Sequence, residues 1–325
     1  MKTRSDDNYE QGRNFQLSWK ADFPTRATHY YMLSGWHTRS DIPLTSVPTS
    51  VRGGESVDIL IQIASGPSPI AKNMGRDILE HVGEGWLLKA EGTADFEVSG
   101  GKQICVWPAA GATQKDIEIF LYGPAWATLC HQRGMLPLHA SAIVTEKGII
   151  AFAGNSGTGK STIAALMGSL GYELVTDDIL PISFNRDAVP GAWPYLRRLK
   201  LRADLITQLG LTPTELVSTR LDKEKYFVRP QCVADDKWSR LDRIYLLGSD
   251  PTDSRTPIDQ ITGTESIRAL VEHTYHFNFI IGGRRFRDHL LICSELASKV
   301  AVYRLRLAPS FELGSFVRAH LDSRP

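Results

Sequence analysis

Apolar and polar positions alternate along much of the first hundred or so residues. Residues 57–63 read VDILIQI, a strict alternation, and shorter runs at His29–Leu33, Gly85–Ala90 and 104–107 have the same texture. Turn signals separate them, at Arg52-Gly53-Gly54, Ser65-Gly66-Pro67 and Ser99-Gly100-Gly101. Such spacing predicts several short strands in an antiparallel sheet or small sandwich. The polar stretch before them, roughly the first 15 residues, predicts a mobile end. Over residues 113–132 the period lengthens. Asp116 and Glu118 lie early, Ile119, Phe120 and Leu129 mark an apolar face, and Gly134 can stop the turn. This predicts a helix that Pro124 kinks or splits.

Beyond residue 134 the order becomes that of an α/β unit. Runs at 140–144 and Gly148–Ala153 are joined by Thr145-Glu146-Lys147, a spacing that suits a hairpin. A glycine-rich segment follows, then a helix over 160–170 with Gly171 as its stop, then a strand through Leu174 and Val175 that ends at Thr176-Asp177-Asp178. Further strands are expected at 242–247 and 300–307, and helices at 263–275 and 313–321. The division predicted is a β-rich unit over 1–133 and an α/β unit over 134–325. Trp86, Trp107 and Trp126 are read as core, and Arg284, Arg285 and Arg287 as a solvated turn.

Charge narrows the class. Lys plus Arg number 37 against 36 Asp plus Glu, a balance that argues against a nucleic-acid binder. No apolar run approaches the ~20 residues needed to span a bilayer, and no apolar stretch follows the N-terminal charges. The four cysteines form no CxxC pair and no zinc-type cluster. They are read as reduced and mostly buried, which makes a cytoplasmic protein the expectation.

The chemistry concentrates in GNSGTGKS, residues 154–161, which satisfies the Walker A pattern between a strand and a helix. The loop amides of Asn155, Ser156, Gly157, Thr158 and Gly159 can cradle phosphate oxygens, helped by the positive end of the helix that Lys160, Ser161 and Thr162 open. Lys160 can reach the outer phosphates and Ser161 can ligate magnesium, so ATP and Mg2+ are the expected ligands. Asp177-Asp178 lies seventeen residues past Lys160, across one helix. One carboxylate can hold the metal while its neighbour serves as a base. Taken alone, the pair could equally be a turn or a helix cap. His139 precedes the first hairpin strand. In PYLRRLKLR, strand alternation would put Arg198, Lys200 and Arg202 on one face, fit to neutralise phosphate or simply to be solvated. Lys223 and Lys225 can add a contact from a loop.

LHASAIV, GIIAFAGNSGTGKST and YELVTDD together resemble the catalytic domain of HPr kinase/phosphorylase. The resemblance implies a serine kinase in which Asp177 takes the serine proton, His139 sits beside it, and Asp178 with Ser161 handles the metal. It covers residues 136–182 well, and the family's downstream glycine signature has PYLRRLKLR in its place. The HQRGMLPLHAS entry, LRRLKL, His273-Thr274-Tyr275 and VYRLRL look most like the HPr-kinase-related proteins that phosphorylate lasso-type precursor peptides. The implied acceptor is a peptide or small protein, and the β-rich front would recognise it or mediate homo-oligomerisation. A nucleotide-dependent switch, a small-molecule kinase and a pyrophosphate or polyphosphate donor stay open on the residues alone.

Overall fold

The computed structural model describes residues 28–50, 56–70, 79–82, 85–217, 225–248, 258–275 and 284–306. The polar N-terminal end, the turn at Arg52-Gly53-Gly54, Lys223 and the helix expected over 313–321 lie outside the described residues.

The alternating front of the chain forms one seven-stranded sheet. Its strands are β1 (His29–Leu33), β2 (Trp36–Ser40), β3 (Ile59–Ile63), β4 (Leu79–Val82), β5 (Gly85–Ala90), β6 (Ala94–Ser99) and β7 (Gln103–Pro108), in the order β1-β2-β3-β7-β6-β5-β4. The expectation of an antiparallel sheet or sandwich is corrected: β3 runs parallel to both β2 and β7. Tight turns force β5, β6 and β7 to alternate in direction, whereas the long connection over 41–58 lets β3 enter the same way as β2. Along β6 the period of two is kept, with Ala94, Phe96 and Val98 buried and Asp95 and Glu97 half-exposed.

The helix expected over 113–132 exists in pieces. α1 (Gln114–Phe120) starts at a capping box between Thr113 and Asp116. Pro124 lacks the N–H that an α-turn needs, and Leu121–Ala125 widen into a π turn before α2 (Trp126–Gln132) resumes. The buried face is Ile117, Leu121, Trp126 and Leu129, while Ile119 and Phe120 are only half-buried. Trp126 is core as expected. Trp86 and Trp107 are half-buried instead, because they fall on the other parity of their strands.

The second half contains β8 (Leu136–Leu138), β9 (Ala140–Thr145), β10 (Gly148–Ala153), β11 (Glu173–Thr176), β12 (Leu180–Phe184), β13 (Pro190–Ala192), β14 (Leu199–Arg202), β15 (Pro213–Leu216), β16 (Lys225–Val228), β17 (Ser239–Gly248), β18 (Ile258–Ile261) and β19 (Ala301–Arg306). Its helices are α3 (Lys160–Ser169), α4 (Ala203–Gln208), α5 (Gly263–Glu272) and α6 (Arg284–Lys299). Nine strands share one sheet, along the path β11-β9-β10-β17-β13-β12-β8 with β19 and β18 added beside β17. β14, β16 and β15 make a separate small sheet. Both faces of β10 are covered. Ile149, Ala151 and Ala153 pack towards Leu270 of α5 and Cys293 and Leu296 of α6, while Ile150 and Phe152 pack towards Ile163 and Met167 of α3. An unbroken apolar run is what a strand buried on two faces requires.

Two expectations near α5 and α6 are corrected. Arg284, Arg285 and Arg287 belong to the first turn of α6, where no turn-only loop exists. α5 stops at Glu272, because Thr274 bonds the Leu270 carbonyl with its hydroxyl at 2.9 Å and the chain then runs beside β8. The N–H of His139 donates to the His273 carbonyl and that of Tyr275 to the Pro137 carbonyl, both at 2.8 Å. All four cysteines are free, Cys130 and Cys293 buried and Cys105 and Cys232 half-buried. Among the described residues no helix is long and apolar enough to cross a membrane.

Candidate active site

Strand direction brings the candidate residues to one edge. β9 is antiparallel to both β10 and β11, so β10 and β11 point the same way and end where β9 begins. His139 therefore precedes β9 beside the loop that follows β10 and the aspartates that follow β11. Open α/β sheets hold their ligands outside such carboxyl ends.

The loop 154–161 leaves β10 at Gly154, where a Cβ would lie 2.7 Å from the Thr158 hydroxyl and 2.9 Å from the Leu247 carbonyl. It enters α3 through Gly159 in the left-handed conformation, φ 97°, a region costly for a side chain. Lys160 is 7% exposed and folds back over the loop. Its ammonium donates to the carbonyls of Gly154 at 2.8 Å and Asn155 at 2.9 Å. Two of three donors thus brace the loop and one remains for an anion. Burial pulls the Lys160 pKa below its usual value, and Asp178 and then Asp177 oppose that shift. Thr158 braces the loop too, through its hydroxyl on the Asn155 carbonyl.

The two aspartates sit in different surroundings. Asp177 is 3% exposed. Its Oδ1 accepts from Ser161 at 2.9 Å and from Ser141 at 2.5 Å, and its Oδ2 accepts the N–H of Lys200 at 2.9 Å. Asp178 adopts φ 85°, the left-handed region that few non-glycine residues occupy. That backbone turns its carboxylate the other way. Oδ2 takes the Lys200 ammonium at 2.7 Å and Oδ1 faces His139 Nε2 at 3.4 Å. Burial alone would raise the Asp178 pKa, but Lys200 and His139 overcome it and hold the carboxyl well below the usual range. The pairing implied by the resemblance is therefore reversed: Ser161 meets Asp177, and His139 meets Asp178.

A cavity of about 520 Å3 opens over this edge, the size of a small-ligand site. Its walls include His139, Ser156, Gly157, Gly159, Lys160, Ser161, Thr162, both aspartates, Lys200, Arg202 and Lys225. Lys225 is the first residue of β16 and not part of a loop. Asn155 and Thr158 brace the loop from outside the lining. Arg198 is also outside it. It precedes β14, lies 3.8 Å from the Phe227 ring centroid and bonds the Ser46 hydroxyl, so it ties the small sheet to the front of the chain. The lining also includes Leu201, Asp204, Leu205 and Gln208, none of which stands out in sequence. Ser141 has only a weak signal there: it lies two residues past His139, in β9.

No family model matches this chain, and no curated protein matches it. Among solved structures it is similar to the Hpr(Ser) kinase/phosphatase from Coxiella burnetii, at 15% identity and a TM-score of 0.30, over 57% of this chain and 95% of that one; a likeness so distant carries no argument about activity.

Proposed function

We propose that this chain is a P-loop phosphotransferase that moves the γ-phosphoryl group of ATP to a serine hydroxyl of a peptide or small protein. The acceptor to try first is a lasso-type precursor peptide. One observation carries the reading: two adjacent carboxylates face the same cavity with separate partners, Asp177 on the P-loop serine and Asp178 on His139 and Lys200. A nucleotide-binding loop alone would need no second carboxylate held apart.

Ser161 and Asp177 present a hydroxyl and a carboxylate, the hard oxygen donors that Mg2+ prefers. Bound there, the metal would neutralise charge on the outer phosphates. Ser141 holds the Asp177 carboxylate in place through its own hydrogen bond. Lys160 and the loop amides grip the phosphates. Asp178 is the acceptor for the serine proton. Lys200 and His139 favour the ionised form of this carboxyl, which can accept a hydrogen bond from the serine hydroxyl and so orient it. The serine oxygen forms its bond to γ-phosphorus as the bridging bond to ADP breaks. The proton, acidified by that bond, passes to Asp178. This order suits a loose transition state, where positioning and charge neutralisation dominate.

The test is transfer of label from γ-labelled ATP to a serine-ending peptide, read by mass spectrometry. Lys160→Ala should abolish it. Asp178→Asn should lower kcat by roughly 10^2 to 10^4 with the Mg2+ requirement unchanged. Asp177→Asn should instead raise the Mg2+ concentration needed. Full transfer by Asp178→Asn, or phosphate released to water with no acceptor labelled, would sink the proposal and favour a nucleotide-driven switch.

A further inference from the structure

Gly123 lies in the π turn over Leu121–Ala125, at the foot of the N-terminal sheet. A Cβ placed on it would sit 2.9 Å from the Tyr275 hydroxyl oxygen and 3.9 Å from that ring's Cζ. The Tyr275 ring meets the His139 ring edge-to-face, centroids 5.4 Å apart. His139 in turn faces Oδ1 of Asp178 at 3.4 Å. The same turn supports the other partner of Asp178. The Tyr195 hydroxyl donates to the Tyr122 carbonyl at 2.8 Å, and Arg198 lies 5.1 Å from the Tyr122 ring centroid. Tyr195 and Arg198 lie in the segment that leads into β14, which carries Lys200 to Oδ2 at 2.7 Å.

We infer that this π turn is a positioning platform for both partners of Asp178, and that Gly123 and Tyr275 are positioning residues through which the N-terminal half sets the rate of transfer. The inference rests on the phosphotransferase reading for its effect on rate. The physical link does not need that reading. Glycine leaves room for the phenol at a point where any side chain would push it, and the pushed ring is packed on His139. Interiors close-packed in this way pass a displacement on instead of absorbing it. π turns inside helices recur at functional sites.

The test pairs two substitutions with two readouts. Gly123→Ala should lower kcat about tenfold while KM for ATP stays within about twofold, because the phosphate grip is untouched. Tyr275→Phe removes the oxygen that an alanine would strike, and alone should cost about threefold. The double variant Gly123→Ala/Tyr275→Phe should return to the level of Tyr275→Phe alone. Backbone strain from a non-glycine residue ahead of Pro124 would persist in the double variant, so rescue separates the two causes. The second readout is the NMR signal of the His139 ring in nucleotide-free protein. It should move in Gly123→Ala and return in the double variant. Should Gly123→Ala fail to fold, Tyr275→Leu tests the same link with the turn intact, and the His139 signal should shift there. An unmoved His139 signal, or a double variant as slow as Gly123→Ala, overturns the inference. Wild-type protein that labels no acceptor defeats the proposed function, while the His139 signal still decides the positioning claim.

Discussion

The two sheets of this molecule solve burial differently. In the seven-stranded sheet β6 keeps strict alternation, so Phe96 is fully buried and its neighbour Glu97 is half-exposed. In the nine-stranded sheet β10 has no outward side, and the neighbours Ala151 and Phe152 are both 0% exposed, one in each of two cores. A sheet covered by helices on both faces holds its strand ends rigidly, and the glycine-rich loop 154–161 springs from such an end. A sheet with one open face has polar side chains to spare for contact with other molecules. The candidate site accordingly lies at the edge of the doubly covered sheet.

That contrast can be broken at specific positions. Ala151→Asp buries an unpaired charge between β10 and α5/α6, and should cost more than about 4 kcal/mol, enough to prevent folding; a soluble variant with a normal melting curve would contradict it. Next in size is the seam between the halves. His289 of α6 is 3% exposed, bonds the Thr274 hydroxyl at 3.0 Å and lies edge-to-face against His131 of α2. Burial lowers its pKa from 6.5 to about 4. Between those values the unfolded chain takes up a proton that the folded chain refuses. Stability is therefore whole above pH 6.5 and declines as pH falls towards 4, by about 3 kcal/mol in all. Denaturant midpoints across that range should show the decline, and in His289→Gln the slope should fall by about one proton. Smallest is Glu97→Gln on the open face of β6, which should move stability by less than about 0.5 kcal/mol. A larger loss would mean that this face is covered after all.

The strand–loop–helix order around residues 154–161 and the hairpin that feeds it were legible because each is set by neighbours in sequence. Gly159 is demanded by backbone geometry within a few residues, and β10 shows as an unbroken apolar run. The parallel placement of β3 between β2 and β7 was not legible, since nothing local states which way a long connection returns. Nor was the separation of partners at Asp177-Asp178. It depends on the left-handed turn at Asp178 and on partners at positions 139, 141 and 200 that only the assembled strands bring near. Arg198 misled for a related reason. Strand parity grouped it with Lys200, but residues 193–198 are not strand, and the guanidinium found two aromatic faces instead.

Tyr195 stacks on Trp126 with ring centroids 5.4 Å apart, and Ile179, Tyr195 and Leu196 share one buried cluster with the front of the chain. The change of texture near residue 134 is therefore not a seam in the modular sense. Cutting there would strip a tryptophan of its cover on one side and leave a tyrosine bare on the other. Neither half could be traded for an unrelated one without re-fitting that aromatic contact, so substitutions at Trp126 and Tyr195 should be accepted only in concert as the protein diverges.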